Sequence, residues 1–273
     1  MSFPPPLCEH PPETIVRESY RAVCGTCGSY WDLESCATEV AYDASYPEMR
    51  GHFDPRVGAM KVRTLRHWLD KAGVDLAGKV VCEVGFGGGT CLEFLGERAK
   101  RVIGLEANAS AIERVQQGGS KAELLLVDQL PPALAELVDI WIFQDSFEHI
   151  PDPAAFLAWM QHNSAPSSEI LMVLPRADSL SRRLLGRLWP HKLPDHRFQW
   201  SRAGLVGFMA RRGFELRADF FALKYVSPQM LIAHALHHAA VPPAARKWLG
   251  GAAFSFPFNF GEMALVFRRA GAG

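Results

Sequence analysis

The run Val80-Val81-Cys82-Glu83-Val84-Gly85-Phe86-Gly87-Gly88-Gly89-Thr90 constrains this chain more than any other feature. A short β-rich segment passes directly into a turn dominated by glycine. Glycine adopts backbone angles closed to other residues, so the chain can reverse sharply and its main chain can lie against a ligand. A strand, a glycine turn and a helix in that order open a sheet with crossover helices. The downstream sequence keeps the rhythm. Strands are expected over 79–84, 101–105, 123–127, 138–143 and 169–174, and helices over 90–98, 110–117 and 153–163. Upstream, Val57, Met60, Val62, Leu65, Trp68 and Leu69 recur at helical spacing over 56–72. The alternation predicts an α/β chain with a doubly wound, Rossmann-like parallel sheet, whose ligand would sit at the carboxyl ends of the strands. The last third adds a helix over 202–212, strands over 214–223 and 262–268, and an apolar helix over 228–238.

Three acids specify the ligand. Glu83 lies two residues before the first glycine, where a carboxylate repels a pyrophosphate and can pair with an ammonium group. Glu106 ends the next strand, where an acid can accept from both ribose hydroxyls. Asp128, with Gln129 beside it, ends the third strand, where it can accept from an adenine amino group. Together they describe a pocket for a cationic, phosphate-free adenosine, S-adenosylmethionine. The plainer alternative is a degenerate nucleotide-binding sheet. On this reading Glu83, Gly85, Phe86, Gly87, Gly89, Glu106, Ala107, Asp128, Gln129, Gln144 and Asp145 line the cofactor site.

With those residues in view, the glycine loop, Glu106 and Asp128 resemble the class I S-adenosylmethionine-dependent methyltransferases. The segment Phe143-Gln144-Asp145-Ser146-Phe147-Glu148-His149-Ile150-Pro151-Asp152-Pro153 resembles that superfamily's LEHVPDP signature. The runs Leu174–Ser179, Gly186–Trp189, Pro194–Ser201 and Arg212–Phe214 are similar to the type 23/11 group with an N-terminal zinc ribbon. The resemblance covers residues 8 to about 268. It implies a seven-stranded methyltransferase sheet over 42–273, a lid-like insertion at about 176–201, and a small-molecule acceptor in a biosynthetic pathway. Phe147 departs from the usual leucine, and Gln144 and Asp145 from aliphatic residues, so the methionine side of the pocket would be more polar than usual.

Four of the six cysteines fall in the first 36 residues. Cys24-Gly25-Thr26-Cys27-Gly28 is a knuckle whose last glycine permits the turn around a metal, and Cys8-Glu9-His10 offers a second half-site. The expected set is Cys8, His10, Cys24 and Cys27 around a structural zinc, with Cys36 as an alternative to His10 and free thiols in a tail as the plainer reading. Residues 1–41 would form this small appendage. Cys82 and Cys91 read as packing residues.

Methyl transfer to oxygen or nitrogen often requires loss of a proton. His149, after the fourth strand, is the leading base, or else it orients its loop. His196 is the second catalytic candidate, with a shaping role as the alternative. Tyr46 is placed to cover the site or to pack. His191 and Lys192 read as a solvated loop. His234, His237 and His238 read as solvated or core-edge groups, and the apolar stretch 230–260 as core, dimer face or substrate cleft.

The balance of 29 Lys+Arg against 29 Asp+Glu argues against a nucleic-acid partner bound by bulk charge. That counts against the alternative of an rRNA guanine methyltransferase with an N-terminal zinc finger, which the layout also resembles. A non-catalytic cofactor-binding module is the third reading. The chain has no run of about 18 apolar residues and no signal-peptide pattern at its start, so a cytoplasmic monomer or homodimer without membrane attachment is expected.

Overall fold

The computed structural model describes residues 7–36, 55–193, 195–228 and 255–271. Its centre is a seven-stranded sheet. The strands are β4 (Val80–Val84), β5 (Arg101–Glu106), β6 (Glu123–Leu126), β7 (Val138–Gln144), β8 (Ser164–Pro175), β10 (Phe214–Phe221) and β13 (Glu262–Arg269), in the spatial order β10-β13-β8-β7-β4-β5-β6. The pairings from β8 through β6 are parallel, and β13 runs antiparallel to both its neighbours. This is the doubly wound, seven-stranded sheet that the sequence pattern and the resemblance implied.

Alternation along the strands builds a core on each face. On β7, Trp141 and Phe143 enter one core, and Ile140 and Ile142 the other. On β8, Ile170, Met172 and Leu174 face the first core, and Leu171 and Val173 the second. Helix α2 (Pro55–Ala72) covers the second face with Leu65, Trp68, Leu69 and Ala72. Helices α3 (Thr90–Gly96), α4 (Ala109–Gln117), α5 (Pro153–His162), α6 (Leu180–Leu185) and α7 (Arg202–Ala210) follow in chain order, and α3 starts from the left-handed Gly89 without a side-chain cap. Asn108 caps α4, Asp152 caps α5 with Pro153 at its first position, and Ser201 caps α7.

The N-terminal segment folds as β1 (Ile15–Glu18), β2 (Arg21–Cys24) and β3 (Tyr30–Asp32), followed by the short helix α1 (Leu33–Cys36). None of these strands stood out in the sequence. Their sheet is completed by β9 (Phe198–Gln199), with Tyr30 opposite Gln199 and Trp31 opposite Phe198. A further antiparallel pair is formed by β11 (Lys224–Val226) and β12 (Phe256–Phe258). Tyr46, His234, His237, His238 and all but the first residue of the helix expected over 228–238 lie outside the described residues. Among the described residues, no helix is long and apolar enough to cross a membrane.

Candidate functional site

The glycine turn leaves β4 at the sheet's middle. Gly85, Gly87 and Gly89 all have positive φ, at 77°, 56° and 75°. At Gly85 a Cβ would lie 2.6 Å from the Cβ of Ser146, so the loop after β7 packs directly on the turn. The side chain of Phe86 is buried against Gly104, leaving its backbone at the turn.

Glu83 is buried beneath this turn. Its Oε1 accepts a hydrogen bond from Gln144 Nε2 at 2.8 Å, and its Oε2 has no partner. Burial raises its pKa to about 7, with Lys61 opposing and Glu106 reinforcing the shift. Glu106 is held differently. Its carboxylate accepts from the amides of Gly87 (2.8 Å), Ala107 (2.9 Å) and Asn108 (3.2 Å). Two of these bonds fall on Oε1 and one on Oε2, so Oε2 retains capacity for a hydroxyl donor. Asp128 and Gln129 are exposed beyond β6. A cavity of about 360 Å³ opens there, lined by Gln129, Ala109, Ile112 and Leu126 among others.

The loop after β7 carries the second group of polar residues. Asp145 sits at φ 51°, a backbone region that costs a non-glycine residue free energy. Its Oδ2 accepts from Lys224 Nζ at 2.6 Å, and Lys224 also pairs with Glu262 Oε1 at 2.9 Å. Glu262 meets His191 Nε2 at 3.0 Å. The cation beside it holds the Glu262 carboxyl well below the usual carboxylate range, against the effect of burial. The two acids raise Lys224 above its ordinary value, although desolvation lowers it.

Glu148 is buried, and neither of its oxygens accepts a hydrogen bond. Burial pushes its pKa well above the carboxylate range, aided by Asp145. The rings of His149 and His196 lie edge to face at 4.8 Å, and His196 is buried. The structure therefore brings the two histidine candidates together, although 46 residues of chain lie between them. His191 and Lys192 are corrected: they are not a solvated loop. His191 is buried against Glu262, and Lys192 reaches Asp32 and Glu34 of the N-terminal segment. Their partners are distant in sequence, so no local pattern marks them. Glu148, Lys224 and Glu262 are site residues that sequence reasoning missed for the same reason.

Cys8, His10, Cys24 and Cys27 place their ligand atoms within 4.8 Å of one another. Cys24 Sγ lies 3.3 Å from His10 Nδ1. The Gly28 amide donates to the Cys24 carbonyl at 2.7 Å, which closes the knuckle turn. Hydrogen bonding from Cys8 lowers Cys27 to about 4, while the same contact raises Cys8. Three soft sulfurs and an imidazole suit tetrahedral zinc. Cys36 is exposed, with its sulfur 4.0 Å from the Arg197 carbonyl, outside this group. Cys82 and Cys91 are buried in the two cores.

The family model for the methyltransferase domain Methyltransf_23 matches residues 56–218, more than half of the chain. The chain belongs to this family. Among curated proteins, it is 29% identical over 147 residues to a ubiquinone biosynthesis O-methyltransferase of Acinetobacter baumannii. That match covers 51% of this chain and 61% of the relative, less than two thirds of its length. Among solved structures, a chain of the Haloferax volcanii complex between the Trm112 methyltransferase activator and a methyltransferase aligns with a TM-score of 0.57 at 16% identity, covering 85% of this chain and 99% of that one. Magnesium protoporphyrin IX methyltransferase from Synechocystis PCC 6803, with bound SAH, aligns with a TM-score of 0.50 at 17% identity, covering 79% and 85%. At these identities the structures speak for the fold.

Proposed function

We propose that this chain is an S-adenosylmethionine-dependent methyltransferase acting on an oxygen, nitrogen or carbon of a small molecule in a biosynthetic pathway. One observation carries the reading: a buried carboxylate, Glu83, keeps an unpartnered oxygen directly beneath the glycine turn. A buried acid of this kind calls for a cation, and the amino group of S-adenosylmethionine is one. Glu106 would accept from the ribose hydroxyls, with Ala107 beside it. Asp128 and Gln129 would meet the adenine, whose face suits the apolar wall of Ile112 and Leu126. Gln144 and Asp145 border the methionine end, and the backbone of Gly85, Phe86, Gly87 and Gly89 forms the cradle.

When bound, the cofactor supplies an electrophilic methyl group on a sulfonium. The chain's own part is alignment of the acceptor, exclusion of water and management of its proton. Alignment is worth several kcal/mol in a displacement of this kind. An imidazole nitrogen of His149 or His196 is suited to take the acceptor's proton near neutral pH. Cys8, His10, Cys24 and Cys27 would hold a structural zinc, closed by four protein ligands. The ribbon at 1–41 and the methyltransferase domain at 42–273 are then the two parts of the protein. The zero net charge and the names of the curated relatives favour a small acceptor over RNA.

Glu106→Ala tests the assignment by calorimetry with S-adenosylhomocysteine. Loss of the ribose hydrogen bonds should weaken binding by about 1–3 kcal/mol. Unchanged affinity would remove Glu106 from the site.

A further inference from the structure

Glu148, His149 and His196 pose a problem that the methyl-donor reading leaves open. Glu148 follows β7 and its side chain is 1% exposed. Both carboxylate oxygens lack a hydrogen-bond partner. Burying an uncompensated carboxylate costs several kcal/mol, so such a group ordinarily faces a cation. The cation already near it, Lys224, is engaged with Asp145 and Glu262. Instead, two imidazoles face Glu148. His196 Nε2 stands 4.0 Å from Glu148 Oε1, and one ligand atom from each of the three residues lies within 4.8 Å of the other two. Two imidazoles and one carboxylate form a donor set for divalent transition metals, and three protein ligands leave coordination positions over.

We propose that Glu148, His149 and His196 form a second metal site, which takes a divalent transition-metal cation. The ion satisfies the buried carboxylate and lies at the loop that packs on the glycine turn. A coordination position left over can hold an acceptor oxygen. This deepens the methyltransferase reading and, for the role of that open position, rests on it. A metal-bound hydroxyl loses its proton to solvent more readily, so the acceptor class would be a hydroxyl, whose ionised oxygen bonds to the methyl carbon as the carbon–sulfur bond of the donor breaks. The donor set separates the two clusters of this chain. Cysteines and a histidine close the N-terminal one, and harder ligands leave this one open.

The test is a titration of the full-length, metal-depleted chain with cobalt(II) alone, read by absorbance and by bound-metal analysis. Two equivalents should bind: one with the sulfur-to-cobalt charge-transfer band of thiolate ligation, one without it. Glu148→Gln and His149→Ala should each keep the first and weaken the second by about 100-fold or more. His149 is only half-buried, so its variant serves should the Gln variant fail to fold. A single equivalent on folded wild-type protein, or a second equivalent unchanged in a folded variant, would overturn the site. Titration of the same samples with S-adenosylhomocysteine separates the two claims. Wild-type protein that binds one metal and keeps cofactor binding sinks the metal site alone, and wild-type protein that binds two metals without the cofactor sinks the methyl-donor reading.

Discussion

The glycine turn 85–89 and the segment 187–201 both reach the carboxyl end of the sheet, yet different forces hold them. The turn is local. Its amides bond to Glu106 and Leu105 on the adjoining strand, and its positive φ angles come from its own glycines. The second segment is held from afar. Ser35 Oγ donates to the Leu193 carbonyl, the Asp32 amide donates to the Arg197 carbonyl, and the Ser201 amide donates to Ser29 Oγ. Glu34 pairs with Arg187 and Lys192. His196 thus stands beside His149 because the N-terminal sheet grips the chain on both sides of it. The comparison teaches that the glycine turn is held by its own strand and neighbour, whereas the segment around His196 is held by the N-terminal sheet that also carries the Cys/His cluster. Gly204, at the start of α7, reinforces this link, since a Cβ there would lie 2.9 Å from Cys27 Sγ.

Cys24→Ser probes the segment around His196 and should have the largest effect. Structural zinc contributes about 10 kcal/mol or more to folding of small sites. Metal content should fall, and amide exchange should accelerate in 15–36 and in 191–201 while the turn 85–89 stays protected. Equal acceleration in both regions would break the contrast. Gly85→Ala probes the glycine turn. A side chain there is strained at φ 77° and meets Ser146, at a cost of about 2–4 kcal/mol. Affinity for S-adenosylhomocysteine should collapse, with zinc stoichiometry unchanged.

This difference also explains what the sequence could tell. The sheet from β4 through β8 was legible because each strand and helix carries its own pattern, and the helix caps Asn108 and Asp152 sit where the chain turns. Glu83, Glu106 and the glycines were legible because their chemistry follows from position after a strand. The N-terminal strands were not. β1 and β3 have four and three residues, and the last three residues of β1 are all exposed, so no alternation marks it. β9 has two residues and exists through its pairing with β3. His191 looked solvated because its partner, Glu262, lies 71 residues downstream. Glu148 stands in the signature-like segment with nothing local to mark it as buried, and the residue that approaches it, His196, lies 48 residues downstream.

The smallest expected effect is also the most direct test of the central claim, that Glu83 and the glycine turn receive a cationic adenosine. Burial holds the free Glu83 carboxyl near pH 7, where Lys61 and Glu106 act on it in opposite senses. A ligand ammonium stabilises the ionised form, so binding below that pH must release a proton and weakens as pH falls. Calorimetric titration of the full-length protein with S-adenosylhomocysteine should therefore give one-to-one binding about ten-fold tighter at pH 8 than at pH 6. Glu83→Gln should bind more weakly and lose that slope. Folded protein that takes up no S-adenosylhomocysteine at either pH would contradict the account.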